Sequence, residues 1–463
     1  MTETTMSPSQ TIDVGRVIDS GRTNARQMTL LILCGLCLVL DGFDVQSIGY
    51  VAPALIHAWG VPKAAMGPVF GASLFGLMVG ALGLSLLADR IGRRPVIIGA
   101  TFAFGCLMLA TAGATSIQTL LALRFVTGLA LGCIMPNAMS LAGEFSAARF
   151  RVTSMMLVSC GFTFGAAAGG FVSAALIPAF GWPSVFIAGG ILPLCLAIAM
   201  VFALPESIQF LVLKQRVTGR MREKVVGWLR DFDPSLPIDA DTRFAVAEQA
   251  HGGVPVAALF SRGRAAFTVL LWIVNFMNLI NLYFLSNWLP TLIHDAGYDT
   301  RTAVLVGTTL QVGGVIGTVL LGRMIEKLGF VRVLVCSFAL ACVSIALIGQ
   351  TAHALWLLGA VVFVAGFCIV GGQPAINAFA GIGYPTDLRA TGIGWSLGIG
   401  RIGSVVGPVV AGQLIAWNWS TPSLFFAAAV PALASAVLMV LLGRATPRAE
   451  NAGSIREAMH ASH

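Results

Sequence analysis

Apolar residues gather along this chain into twelve long runs separated by short polar breaks, at roughly 28–56, 66–88, 95–114, 117–142, 152–177, 184–204, 266–293, 303–322, 330–350, 353–380, 389–415 and 421–443. A helix rising 1.5 Å per residue needs about 20 apolar residues to cross a hydrocarbon layer about 30 Å thick. Each run therefore predicts one spanning helix. The expected fold class is an all-α membrane protein with twelve transmembrane helices in two six-helix halves. The pattern divides into a tail at 1–27, a first bundle at 28–204, a polar linker at 205–265, a second bundle at 266–443 and a tail at 444–463.

The two bundles are one pattern used twice. A shift of 237 residues lays Pro53-Ala54-Leu55-Ile56-His57 on Pro290-Thr291-Leu292-Ile293-His294, and Gly60, Gly76 and Gly80 on Gly297, Gly313 and Gly317. A shift of 238 lays Pro136 on Pro374, Arg151 on Arg389, Gly165 on Gly403 and Gly169 on Gly407. Six helices repeated in the same order make a parallel repeat, an arrangement in which two halves enclose a site near the midplane and rock about it.

Composition agrees with the pattern: 57% of the 463 residues are hydrophobic, only 10% are charged, and mean hydropathy is +0.87. Basic residues fix the expected orientation. Of 28 Lys and Arg, 24 fall in the tails and the even-numbered connections, whereas the opposite side has only Lys63 and Arg301. By the positive-inside rule both termini are expected in the cytoplasm. The net charge of +8 thus reflects topology and does not predict nucleic-acid binding. The nine Cys all lie in apolar runs, where a thiol behaves as a small hydrophobe, so neither a disulfide framework nor a metal site is expected. The first 27 residues lack the apolar core of a cleavable signal. Nine basic residues in the linker predict short amphipathic helices on the membrane surface.

Against this background two carboxylates stand out, Asp41 and Asp44, three residues apart inside the first span and so on one helix face. An intramembrane acid costs about 3 kcal/mol to insert and is a functional-site hypothesis by default. Glu144 lies near the cytoplasmic end of span 4, and no His occurs at mid-depth, which leaves the two Asp as proton carriers. Desolvation raises a carboxylate's pKa and a nearby cation lowers it, so Arg124, inside span 4, is the candidate switch. A permanent ion pair tying spans 1 and 4 is the alternative.

The connection after span 2 reads Ser85-Leu86-Leu87-Ala88-Asp89-Arg90-Ile91-Gly92-Arg93-Arg94, and its repeat partner reads Gly322-Arg323-Met324-Ile325-Glu326-Lys327-Leu328-Gly329. An acid at a helix end beside a glycine turn and a basic cluster suits charge pairs that close the cytoplasmic side. The double occurrence resembles the loop motif of the major facilitator superfamily, with Ser85 in place of its first glycine and no paired arginines in the second copy. Within that superfamily the chain resembles the aromatic acid:proton symporter family, benzoate and 4-hydroxybenzoate transporters among them. The resemblance rests on Asp41-Gly42-Phe43-Asp44, Arg124-Phe125-Val126-Thr127-Gly128, Met135-Pro136-Asn137-Ala138 with Glu144, Leu204-Pro205-Glu206-Ser207, and Arg389 with Arg401. It implies a monomeric multi-pass carrier of the inner (cytoplasmic) membrane that imports a benzoate-type acid with protons and needs no cofactor.

The repeat divides the labour. Asp41 falls on Asn278 and Asp44 on Asn281, amides that cannot titrate, so proton chemistry belongs to the first half. Asn275, Asn278, Asn281, Tyr283 and Asn287 make span 7 a row of hydrogen-bonding groups that is costly against lipid and is expected to face a cavity, although each Asn has the alternative of bonding a neighbouring helix. Arg401 lies about twelve residues into span 11, with a fork that matches a carboxylate bidentately. It is the expected holder of the substrate anion; a bond to backbone or to an internal acid is the alternative. Phe43, Tyr283, Phe284 and Trp395 are candidate walls for an aromatic ring, and Gln311, Gln373 and Asn377 are candidates to bond ring hydroxyls. Asp89, Arg90, Arg93, Arg94, Glu144, Arg149, Arg151, Glu206, Glu326 and Arg389 are expected to form a cytoplasmic gating network.

Other signals are discounted. Gly398-x-Gly400-x-x-Gly403 lies in an apolar helix with no preceding strand and reads as helix packing, not dinucleotide binding. No nucleophile or cofactor motif supports an enzyme. Two rivals stand beside the aromatic-acid reading: a superfamily carrier for a sugar, an aliphatic acid or a drug, and a sensor built on a carrier fold.

Overall fold

The computed structural model describes residues 11–21, 24–214, 217–239, 242–246, 256–261, 263–351 and 354–445. Residues 1–10 and 22–23 of the expected N-terminal tail, 446–463 of the C-terminal tail and parts of the 205–265 linker lie outside these residues. Among the described residues twelve helices are long and apolar enough to cross a membrane. The chain divides into two compact units, one built on residues up to His251 with Thr300–Leu305, the other on Gly252–Asp299 and Val306 onward.

The first unit begins with a short strand β1 (Thr11–Asp13) and helix α1 (Val14–Ser20), followed by α2 (Ala25–Trp59), α3 (Met66–Leu82), α4 (Ala88–Ile91), α5 (Arg93–Ala112), α6 (Ile117–Gly132), α7 (Ile134–Glu144), α8 (Arg151–Phe180) and α9 (Pro183–Ala203). Two spans are interrupted. Span 2 passes from α3 through a 3-10 turn at Leu84–Leu87 into α4, and span 4 breaks at Cys133 between α6 and α7. Pro136 explains the second break, because it has no N–H to meet the Gly132 carbonyl. After α9 come α10 (Ile208–Leu213), α11 (Gly219–Phe232) and strand β2 (Arg243–Ala245).

The second unit contains α12 (Ala265–Asp295), most of α13 (Thr300–Leu328), α14 (Phe330–Ile348), α15 (Leu355–Gly383), α16 (Thr386–Ala416) and α17 (Thr421–Ala445). The sequence repeat is also a packing repeat. In the first unit α2 packs on α8, α3 on α6 and α5 on α9; in the second α12 packs on α16 and α14 on α17. Missing side chains set the closest crossings. A Cβ on Gly42 would lie 1.9 Å from the Phe162 carbonyl oxygen, and one on Gly165 1.8 Å from that of Val39. At the equivalent crossing of α12 and α16, a Cβ on Gly403 would lie 2.3 Å from the Phe276 oxygen. Van der Waals contact drives helix association in lipid, so such glycines let backbones touch. Each crossing is also pinned by a ring donor: Tyr50 Oη donates to Ala166 O at 3.0 Å, and Trp288 Nε1 to Pro408 O at 2.9 Å.

The N-terminal segment is not a bare tail. Strand β1 pairs in parallel with β2, with Ile12 opposite Phe244, and α1 packs on α10 and α11. Asp19 of α1 pairs with Arg151 at the start of α8, and Arg26 with Asp231 of α11 at 3.0 Å. Helix α11 buries Val225, Leu229 and Phe232. Its apolar face is therefore covered by protein, Phe145 included, and the expectation of helices lying on the lipid surface is corrected for this segment.

Candidate functional site

The first unit places Asp44 of α2 against Arg124 of α6. Both side chains are fully buried, and the pairing is bidentate, Nη1 to Oδ1 at 2.6 Å and Nη2 to Oδ2 at 2.8 Å. Nη2 also donates to Ser73 Oγ at 3.2 Å and Nη1 to Met108 Sδ at 3.6 Å. Both arms of the guanidinium fork thus reach Asp44, whereas the sequence left open which acid Arg124 holds. Asp41 lies one turn earlier on α2 and is 2% exposed. A buried pair of this kind gains little net stability, because desolvation offsets the Coulomb attraction, yet removing one partner strands a charge.

At the end of the same unit that carries the motif after span 2, Arg93 Nη2 meets Glu144 at 2.7 Å, and Glu144 also accepts from Ser140 Oγ at 3.2 Å and from Ser207 Oγ. Glu206 serves differently. Its Oε1 accepts from the backbone N–H groups of Arg93 at 3.0 Å and Arg94 at 3.2 Å, so it caps the N-terminus of α5, where helix donors have no partner of their own. Gly92 makes room: its φ is +111°, and a Cβ there would lie 2.2 Å from Glu206 Oε2.

The expected ten-member lattice is corrected accordingly. Arg151 binds Asp19 and the Gly143 carbonyl, not an acid of the motif, and Arg149 lies over the Phe150 ring at 5.1 Å. Asp89 is 71% exposed and only 3.9 Å from Arg93, and Arg90 is exposed. Arg94 Nη2 donates to the Val201 carbonyl. Glu326 and Arg389 are exposed residues of the second unit. Sequence reasoning missed Ser140, Ser207 and Asp19; Ser207 was legible as a helix cap, and it accepts from Phe210 N at 3.0 Å.

The second unit brings seven predicted polar residues to very different ends. Asn275 Nδ2 donates to Ser396 O at 2.9 Å and Oγ at 3.0 Å. Asn275 Oδ1 accepts from Gln373 Nε2 at 2.9 Å, which also reaches Asn377 Oδ1 at 3.3 Å. Gln373 Oε1 accepts from Asn278 Nδ2 at 2.7 Å. These residues form one relay across α12, α15 and α16. Asn281 does not join it: oriented to satisfy its amide, it donates to Ala428 O at 2.6 Å and accepts from Ala432 N at 3.0 Å, tying α12 to α17. Asn287 bonds the Tyr283 carbonyl of its own helix. The span 7 row is therefore not a single cavity face, because residues at three-residue spacing turn progressively round a 3.6-residue helix. Gln311 donates to Ser286 Oγ at 3.1 Å.

Arg401 is half-buried on α16, and among the described residues its guanidinium has neither a hydrogen-bond nor an ion-pair partner. Of the candidate ring walls, Trp395 is 43% exposed and stacks on Trp272 at 5.9 Å, and Tyr283 is half-buried. Phe43 is instead enclosed by α8 and α9, where a Cβ on Gly189 would lie 2.7 Å from its ring, and Phe284 packs edge-on against Phe425. Both of these belong to the packing of their own units.

The profile of the Major Facilitator Superfamily matches residues 34–304 and 271–461. The chain is 39% identical over 436 residues to the 4-hydroxybenzoate transporter PcaK of Pseudomonas aeruginosa, covering 93% of this chain and 96% of that protein. It is 38% identical over 439 residues to the gallate transporter of Pseudomonas putida, covering 95% and 96%. Among solved structures it is similar in fold to a D-xylose-proton symporter, with a TM-score of 0.70, 15% identity and coverage of 92% and 99%. The chain belongs to the major facilitator superfamily, in its aromatic acid:proton symporter family, and is a multi-pass membrane transporter rather than an enzyme.

Proposed function

We propose that the protein imports an aromatic carboxylate of the benzoate or hydroxybenzoate type, together with protons, by alternating access. In this reading it is a monomer in the inner (cytoplasmic) membrane with both termini in the cytoplasm, and it uses no cofactor. The observation that carries the substrate class is Arg401, a half-buried cation in a spanning helix with no partner of its own among the described residues. Its planar fork fits a carboxylate bidentately. The names of the relatives, for 4-hydroxybenzoate and gallate, support a ring behind that carboxylate.

Asp41 and Asp44 are the proton carriers in this mechanism. With Asp44 ionised, Arg124 holds α2 to α6 inside the first unit. Protonation removes the negative partner, loosens that tie and permits the loaded carrier to reorient. Discharge of the proton on the cytoplasmic side restores the pair. The network of Arg93, Glu144 and the Glu206 cap stabilises one of the two states at the motif end.

Purified protein in proteoliposomes is expected to accumulate radiolabelled 4-hydroxybenzoate when the lumen is made alkaline, and dissipating the gradient is expected to abolish accumulation. Equal uptake with and without the gradient refutes proton coupling. Arg401→Lys is expected to lower uptake about tenfold or more at unchanged amounts in the membrane, because an ammonium cannot reproduce the two-pronged contact. Undiminished substrate binding by that variant removes Arg401 from the site.

A further inference from the structure

Gln373, which the sequence offers as a partner for a ring hydroxyl, has spent its amide on other side chains. An amide nitrogen has two hydrogens. In Gln373 one goes to Asn275 Oδ1 at 2.9 Å and the other to Asn377 Oδ1 at 3.3 Å, while its oxygen takes Asn278 Nδ2 at 2.7 Å. The directions are fixed from outside by backbone carbonyls, which can only accept: Ile369 O takes Asn278 Nδ2 at 3.3 Å, and Ser396 O takes Asn275 Nδ2 at 2.9 Å. Turning the Asn275 amide over would set its oxygen against the Ser396 carbonyl and its nitrogen against the Gln373 N–H. Gln373 therefore holds that amide the one way round in which it can grip α16.

The grip falls on the stretch of α16 that carries Arg401, whose guanidinium has no partner among the described residues. Asn275 is 0% exposed and meets α16 at Ser396, 1% exposed, and at Gly400, where a Cβ would lie 3.0 Å from Asn275 Cγ. Beyond Arg401 the backbones touch again, a Cβ on Gly403 falling 2.3 Å from Phe276 O. Contacts on both sides of Arg401 thus fix the rotation and depth of α16 on α12, and Arg401 leaves the helix about 100° round from Gly400. A small rotation of α16 would swing so long a side chain widely, and misplacement is costly to a two-pronged contact.

We infer that Gln373 is a positioning residue: it orients the Asn275 amide, Asn275 holds α16, and Arg401 is thereby presented at a fixed place to the substrate carboxylate. Gln373 itself bonds no ring substituent. The inference rests on the reading of Arg401 above as the holder of the anion, and deepens it. Its consequence is a loss shared by every aromatic acid, whatever its ring bears, and felt through Arg401.

The test measures KM and maximal uptake of benzoate and 4-hydroxybenzoate in proteoliposomes under a fixed pH gradient. Gln373→Met, close in size and without the amide, is expected to raise KM for both acids by the same factor, about fivefold to tenfold, with maximal uptake nearly unchanged. Asn275→Ala, at a position too deeply buried to touch a substrate, is expected to raise both KM values at least as much. In an Arg401→Lys background Gln373→Met is expected to raise KM less than about twofold, because residues that act as one unit are not additive. A rise confined to 4-hydroxybenzoate, an unchanged KM in Asn275→Ala, or the full effect of Gln373→Met in the Arg401→Lys background overturns this inference and leaves the Arg401 reading intact. An unchanged KM in Arg401→Lys alone overturns both. Should Arg401→Lys carry too little substrate for a KM, the two acids compared in Gln373→Met and Asn275→Ala decide. Maximal uptake that falls while KM holds, or absence of both relay variants from the membrane, assigns the relay to turnover or folding and overturns the inference.

Discussion

At the scale of single residues, the pairing of Asp44 with Arg124 is the decisive contact. A fully buried ion pair is a poor source of stability but a severe liability when halved, at about 3–5 kcal/mol for the stranded charge. Asp44→Asn is therefore expected to lower thermal stability in detergent by an amount of that order and to abolish concentrative uptake. The double variant Asp44→Leu/Arg124→Leu is expected to recover most of the stability and none of the uptake. Recovered uptake in the double variant would reduce the pair to a packing device. Asp41→Asn leaves the bidentate pairing of Asp44 with Arg124 in place and is expected to lose accumulation at a smaller cost in stability than Asp44→Asn. Measuring both quantities on both acids separates proton traffic from architecture.

At the scale of elements, stability in lipid depends on how closely helices approach. Gly165 and Gly99 are both helical glycines of the first unit, but a Cβ on Gly165 would meet the Val39 oxygen at 1.8 Å, while one on Gly99 meets nothing within 4 Å. Gly165→Ala must push α8 off α2 and is expected to destabilise by about 1–3 kcal/mol, as overpacking does. Gly99→Ala is expected to be neutral or mildly stabilising, by up to about 1 kcal/mol, because only helix propensity changes. Melting temperatures of the two purified variants check the contrast. The break of span 4 at Cys133 also belongs to this scale: Pro136 ends one set of backbone bonds, while its repeat partner Pro374 sits inside an unbroken α15. The same residue type therefore interrupts one helix and not the other, and neighbours decide which.

At the scale of the molecule, duplication supplied two bundles with the same packing order and different chemistry. Where the first unit puts Asp44 on an arginine, the second puts Asn281 on the backbone of α17. The first unit also carries an addition with no counterpart described in the second: β1 and α1 fold back on α11 and β2. Deleting Thr11–Ser20 uncovers Val225, Leu229 and Phe232 and is expected to speed tryptic cleavage after Arg222 and Lys224 about fivefold or more, since proteolysis follows the population of opened segments. An unchanged cleavage rate would mean that α11 holds its fold without α1.

Much of this was legible in one dimension. The twelve spans, the duplication and the intramembrane acids follow from hydrophobic run length, identical residues at a constant offset, and the expense of placing charge in hydrocarbon; all three are local or periodic properties that survive without coordinates. Partner choice was not legible. That Arg124 grips Asp44 with both arms, that Glu206 caps α5 instead of joining an ion-pair lattice, that Asn281 and Phe43 serve packing, and that Asn275, Asn278 and Gln373 bond one another depend on which side of each helix meets which neighbour. Helix rotation and contact distance arise from the packing of residues distant along the chain, so the sequence named the polar groups of the site and only the folded units decided what each of them holds.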